Sequence, residues 1–266
     1  MKSAAEGSGL RLPDGVYANA VAALASGKHL LITGPPGSGK TELAVAIAKA
    51  AAKSGRSSGA ALVTPSGRWS ARDTVGRVQR PQGGPASFER GHVLAAAEKN
   101  RWLIVDELDR TELDRALGAL SSFLGGLPLA LPDGSGEASA PKDWRLVATL
   151  GEGADPGTSP ALLRRFAHIE LHAPDAATLD ALIDGAAGGD ATAAGAVRRL
   201  LAVRELRDLG AGPFLDAARH AAERHALTPA TESELARECL TAYFEPHLRG
   251  LDANGQARLR ELTDAL

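Results

Sequence analysis

The sequence predicts an α/β fold, a parallel sheet flanked by helices, followed by a small all-helical domain. Three observations predict it. Short apolar runs alternate with helical stretches as far as Pro174, the pattern of a parallel sheet with crossover helices. A glycine-rich segment, Gly34–Thr41 (GPPGSGKT), stands between the first clear strand run and a long helical stretch. Beyond Pro174 no strand pattern remains, and helical stretches follow one another to the end. The expected division is 1–174 for the α/β core and 175–266 for the helical domain.

In chain order, Met1–Leu12 reads as a loose polar lead-in. Asp14–Ser26 is an amphipathic helix that Gly27 ends. His29–Thr33 (HLLIT) is a buried strand, and Glu42–Ala52 is the helix that opens after the glycine loop. Ala60–Thr64 is the second strand, and Trp69–Gly76 a short helix. Arg77–Phe88 is a small hairpin whose turn is marked by Gly83, Gly84 and Pro85. The helix His92–Lys99 then leads into the clearest strand, Arg101–Asp106. Asp114–Leu124 reads as one helix with Leu113, Leu117, Leu120 and Leu124 on a core-facing stripe. Gly126–Leu131 and Trp144–Thr149 read as strands joined by the Gly/Ser/Pro-rich Pro132–Pro141. The helix Ala161–Phe166 and the strand His168–Leu171 close the core. Helices are expected at Thr178–Asp184, Ala196–Leu209, Phe214–His225, Ser233–Phe244 and Ala257–Leu266, with Gly185–Gly195 as a mobile loop.

The chemistry starts at Gly34–Thr41, which fits G-x-x-x-x-G-K-[ST] at every fixed position. A strand, a glycine loop and a helix start turn backbone N–H groups and the positive end of a helix dipole toward phosphate. The expected nucleotide-binding residues are Gly34, Pro35, Pro36, Gly37, Ser38, Gly39, Lys40, Thr41 and Glu42. Lys40 is expected to reach the β- and γ-phosphates and Thr41 to ligate Mg²⁺. The second motif is Trp102–Glu107 (WLIVDE). An apolar strand ending in an acid places Asp106 at the carboxyl edge of the sheet, where it can hold Mg²⁺ through its water shell. Glu107 is placed as the general base for water. The third feature is Arg164 with Arg165, just before the last core strand. An arginine there suits a trans-acting finger that stabilises charge on a neighbour's γ-phosphate, although charged pairs are usually just solvated.

Composition sets bounds. The chain has 266 residues, 44% hydrophobic and 23% charged, enough for a real core. A net charge of −2 argues against a broad nucleic-acid surface, so nucleic acid enters only indirectly. Cys239 is the single cysteine, which excludes an internal disulfide and reads as a buried thiol. No run approaches a membrane span and the N-terminus lacks a signal-peptide core, so a cytoplasmic protein is expected.

GPPGSGKT, then WLIVDELDR, then WRLVATL and LLRRF, then a helical C-terminus, together resemble the AAA+ ATPases, which carry a P-loop NTPase core and a helical lid. ALASGKHLLITGPPGSGKTELA and FERGHVLAAAEKNRWLIVDELDRTELDRALGALSSFL are most similar to the MoxR-like and McrB-like branch. The resemblance, over residues 10 to 250, implies ATP with Mg²⁺ at the interfaces of a homo-oligomer, a hexameric ring. It implies two inserted hairpins, at Arg77–Phe88 and Gly126–Thr149, and a position for Arg110 facing the adjacent subunit's nucleotide. It also implies a client protein, with a von Willebrand A-domain protein as the expected class for a MoxR-type chaperone. The chain departs from the family pattern at three places. Gly151 stands where a sensor asparagine is expected, Asp109 replaces an asparagine, and Gly212-Pro213-Phe214 stands where a sensor arginine is expected. The leading expectation is an ATPase that remodels a partner protein. A GTP- or ATP-driven motor of a restriction or defence system and a nucleotide-switched scaffold with weak hydrolysis are the alternatives.

Overall fold

The computed structural model describes residues 1–6, 10–79, 87–151, 153 and 159–266. The chain divides into two compact units, Met1–Gly34 with Lys40–Leu171, and Pro35–Gly39 with His172–Leu266. Each has its own apolar core.

The first unit begins with helix α1 (Lys2–Glu6), where a loose lead-in is expected. Ala5 is fully buried, and packing of α1 against α3 supplies the order that the polar sequence does not advertise. Helix α2 (Asp14–Ala25) ends at Gly27, whose φ of 88° only glycine adopts freely. Strand β1 (His29–Thr33) is buried through its first four residues. Helix α3 (Lys40–Lys53) opens directly after the glycine loop and packs across β1, β2 (Ala60–Val63), β5 (Trp102–Val105) and β8 (Leu146–Thr149). With β9 (Phe166–Glu170) these strands form one parallel sheet in the order β2-β5-β8-β1-β9. Strands β5 and β8 are buried at all four residues, which explains their continuous apolar runs.

Between β2 and β5, α4 (Ala71–Thr74) is closed by a Ser70–Asp73 capping box. Strands β3 (Gly76–Gln79) and β4 (Ser87–Arg90) then form the first antiparallel hairpin. Its expected turn at Gly83, Gly84 and Pro85 lies outside the described residues. Helix α5 (His92–Glu98) leads into β5.

Two expectations fail after β5. The stretch expected as one helix is α6 (Leu113–Leu117) followed by 3₁₀ turns at Gly118–Leu120 and Phe123–Gly125. The four leucines are nevertheless all buried, so the stripe reports burial correctly but not helix continuity. The second hairpin is also smaller than expected. Strand β6 (Leu129–Ala130) pairs with β7 (Glu137–Ala138) inside the Gly/Ser/Pro-rich stretch, while β8 joins the main sheet. Helix α7 (Pro160–Leu163) ends before Arg164, and β9 starts at Phe166.

The second unit contains α8 (Ala176–Ala186), α9 (Ala191–Arg198), α10 (Gly212–Leu227), α11 (Glu232–Cys239) and α12 (Ala253–Asp264). The expected mobile loop Gly185–Gly195 is a correction, because α9 starts inside it. Asp190 caps that helix by accepting from Ala193 N–H at 3.0 Å, and Ala193, Ala194 and Ala196 are buried. Helix α11 passes into a π-helical turn, Leu240–Phe244. Phe214 and Phe244 meet edge to face at 4.9 Å in this core. The loop tip Pro35–Gly39 belongs with this unit: Gly210 N–H donates to Pro36 O at 2.8 Å and Gly212 N–H to Gly37 O at 2.9 Å.

Candidate nucleotide-hydrolysis site

The glycine loop is built as the motif requires. Gly37 and Gly39 hold φ of 73° and 89°, so the backbone turns twice where a side chain is disfavoured. Gly37 has a second reason to be glycine, since a Cβ there would lie 2.5 Å from Pro213 Cδ. Lys40 Nζ donates to Gly34 O at 2.8 Å, so the lysine folds back over the loop that precedes it. Ser38 Oγ is buried and has no hydrogen-bond partner among the described residues. An orphaned buried hydroxyl in a glycine-rich loop is a cost in the free protein and a ready donor for phosphate.

Strand order explains the second half of the site. Strand β8 lies between β1, which feeds the glycine loop, and β5, which ends at the acids. Thr149, the last residue of β8, therefore stands beside Asp106. Asp106 Oδ1 accepts from Thr41 Oγ1 and from Thr149 Oγ1, both at 2.7 Å. Thr149 Oγ1 in turn accepts the Glu107 N–H at 2.9 Å. Thr41, at the start of α3, and Asp106, after β5, thus meet as the sequence expects. A hydroxyl and a carboxylate oxygen brought together at the sheet edge are the hard oxygen donors that Mg²⁺ takes, one as ligand and one through water, so the residues present fit the ion.

Glu107 adopts φ 56° and ψ 52°, the left-handed region, which costs a non-glycine residue on the order of 1 kcal/mol. The turn throws Leu108 into the core and leaves Glu107, Asp109 and Arg110 exposed. Glu107 Oε2 pairs with Arg110 Nη2 at 2.5 Å, a contact within the chain. The two members of the arginine pair part company. Arg165 is half-buried with its guanidinium against Gly125, where a Cβ would lie 2.5 Å from Arg165 Cζ. Arg164 is exposed, and its carbonyl accepts from Lys28 Nζ at 2.7 Å. Glu42 lies in the first turn of α3 and makes no side-chain hydrogen bond or ion pair among the described residues.

The family model for the AAA domain, dynein-related subfamily, matches residues 29–166, just over half of the chain. The chain belongs to this AAA family. It is an AAA+ ATPase of the MoxR-like and McrB-like branch, and the family implies nucleotide binding, typically with Mg²⁺, in proteins that are usually oligomeric. Two solved structures of RuvB from Thermotoga maritima, a proline-to-glycine and a lysine-to-arginine mutant, are similar in fold. Both are 18% identical, with TM-scores of 0.54 and 0.51, and each alignment covers 86% of this chain and 69% of the RuvB chain. No curated protein matches the sequence. No helix among the described residues of this AAA+ ATPase is long and apolar enough to cross a membrane.

Two residues that position the site escape motif reading. Thr149 has no sequence signal beyond ending an apolar run, because its role depends on β8 lying beside β5. His29 starts β1 and is 3% exposed. Its Nδ1 accepts from Leu146 N–H at 2.9 Å, which makes Nε2 the protonated nitrogen, donating to Leu124 O at 3.0 Å. Burial foremost, with the nearby cations of Arg145, Arg165 and Lys28 adding, pushes its pKa down from 6.5 to about 4, against the hydrogen bond to Leu124. His29 is thus a neutral strut between β1, β8 and the turn at Leu124. Cys239 is a buried thiol, pushed up to about 12 chiefly by burial.

Proposed function

We propose that this AAA+ ATPase hydrolyses ATP at the subunit interfaces of a homo-oligomeric ring, a hexamer, and uses the cycle to remodel or activate a partner protein, as a MoxR-like chaperone in the cytoplasm. The core would span 1–174 and the lid 175–266. The observation that carries the reading is the convergence of Thr41 and Thr149 on one oxygen of Asp106, next to Glu107 at the end of a buried strand. A phosphate-binding loop alone serves binding; an acid pair brought to the start of its helix serves hydrolysis.

In this reading Gly34–Gly39 supply N–H groups to the phosphates, and Lys40 leaves Gly34 O to meet them. Thr41 and Asp106 hold Mg²⁺, which when bound neutralises phosphate charge. Glu107 orients a water and takes its proton as the water oxygen bonds to the γ-phosphorus and the bond to the β–γ bridging oxygen breaks, leaving ADP and inorganic phosphate. Arg164 is the member of the pair that reaches a neighbour, because it is exposed while Arg165 packs on Gly125. A partner of the von Willebrand A-domain class fits the branch.

The test is ATP turnover and assembly of the full chain. Glu107→Gln is expected to lower kcat about 10²- to 10⁴-fold while ATP binding stays within twofold. Light scattering is expected to give a ring-sized species with ATP. Unchanged turnover in Glu107→Gln, or a monomer with and without ATP, sinks the reading. One observation favours a second reading, a nucleotide-switched scaffold: Glu107 is engaged with Arg110 within its own chain. That scaffold would bind ATP tightly with turnover near background in the wild type.

A further inference from the structure

Three acids follow β5, and their surroundings differ. Asp106 is taken by Thr41 and Thr149, and Glu107 by Arg110. Asp109 has no hydrogen bond or ion pair among the described residues. Its carboxylate stands against Gly151, where an ideal Cβ would lie 3.1 Å from Asp109 Oδ2. Gly151 lies two residues past the end of β8, which separates the glycine-loop strand from the acid strand, and Leu150 N–H between them is bonded to Ile32 O of β1 at 2.9 Å. At this strand end the backbone offers no side chain, and the space beside it is filled by a carboxylate reaching across from the β5 turn. An exposed carboxylate with no protein partner among the described residues, two residues from Glu107 and at the sheet edge that carries Thr149, is suited to hold a water molecule.

We propose that Asp109 holds the attacking water together with Glu107, accepting a hydrogen bond from it, and that Gly151 is glycine because a side chain there would displace Asp109. This rests on the reading of Glu107 as the water-activating acid. A side chain supplied from the β8 side would do the same work if Asp109 were removed, so the two positions form an exchangeable pair.

The experiment measures kcat for ATP and the Kd of a fluorescent ATP analogue with Mg²⁺ in the full chain. It compares wild type, Asp109→Ala, Asp109→Asn and the Asp109→Ala, Gly151→Asn double variant, each checked for an unchanged melting temperature. Asp109→Ala is expected to lose about tenfold or more in kcat with Kd within twofold, the scale of a mispositioned reactant. Asp109→Asn, which keeps an acceptor, is expected to lose less, and Gly151→Asn is expected to restore a good part of the loss in the Asp109→Ala background. A kcat within twofold of wild type in Asp109→Ala, or a loss that Gly151→Asn does not restore, overturns the proposal. Glu107→Gln is run in parallel and separates the two claims. If it abolishes turnover while Asp109→Ala is silent, only the Asp109 assignment fails; if it stays active, the underlying reading fails.

Discussion

Acidification from pH 7 to pH 5 is expected to weaken the α/β unit through His29. The folded protein holds this imidazole neutral, with a pKa of about 4 against 6.5. As pH falls the unfolded chain binds the proton first, so stability is lost on the way down through 6.5 and the loss is complete near 4. At pH 5 the gap is about 1.5 units, or roughly 2 kcal/mol, and the full shift corresponds to about 3 kcal/mol. Against a typical total of about 5–15 kcal/mol this is a large fraction. The carboxylates of this unit held low by their partners, Glu89 and Asp133, like Asp175, Asp180, Asp190 and Glu234 in the second unit, have stability that is lost only as pH falls below ordinary values of 3.8 to 4.5, so their loss begins beneath this window. All three tryptophans, Trp69, Trp102 and Trp144, lie in the same unit as His29, so their fluorescence reports on that unit. Trp144 also packs edge-on against the His29 ring at 5.7 Å. Urea midpoints followed by tryptophan fluorescence at pH 7, 6 and 5 are compared for wild type and His29→Gln. The variant is less stable at pH 7, having one imperfect substitute for two backbone hydrogen bonds, and its curve should be nearly flat. Parallel decline of the two proteins between pH 7 and 5 would refute the reasoning.

Two further outcomes follow from the site. Arg164→Ala is expected to leave the urea midpoint within about 0.5 kcal/mol, as for exposed residues generally, while lowering turnover of the assembled protein. Arg165→Ala, which strips a packed side chain from Gly125, is expected to cost on the order of 1 kcal/mol with turnover per folded molecule retained; the reverse pattern would exchange their roles. Thr149→Val keeps the shape but removes the donor to Asp106 and the acceptor of Glu107 N–H. It is expected to destabilise by about 1–3 kcal/mol and to lower kcat more than ATP affinity, read by urea unfolding and by steady-state kinetics.

What the sequence makes legible is what one continuous segment determines. HLLIT is β1 at both ends, and GPPGSGKT turns on glycines at positive φ, because strand, turn and helix start succeed one another with fixed spacing. The leucine stripe from Leu113 to Leu124 marks burial, but period alone does not distinguish a helix from an α-turn continued as 3₁₀. In Gly185–Gly195 the glycines outweigh a signal that is present, Asp190 capping a run of alanines with high helix propensity. Strand β7 is two residues long and carries no pattern to find. Arg164 and Arg165 are equivalent as text. Only the packing of Gly125 separates them.

The same contrast runs through the chemistry. Phosphate-binding residues come from one stretch, so their arrangement is written locally and a departure there would remove the site. The residues placed for hydrolysis come from the ends of separate strands, and β8 sits between the other two. A side chain missing from one strand end can then be replaced by one from its neighbour without moving the backbone. Gly151 beside Asp109 is such a place: read along the chain, each is an isolated departure from the family pattern. Across the sheet they are adjacent, one leaving the space the other occupies. Loss of a side chain at 151 is therefore not by itself an argument for loss of turnover. Binding and hydrolysis thus draw on different parts of this chain, and the Asp109 and Gly151 variants, made together, separate them.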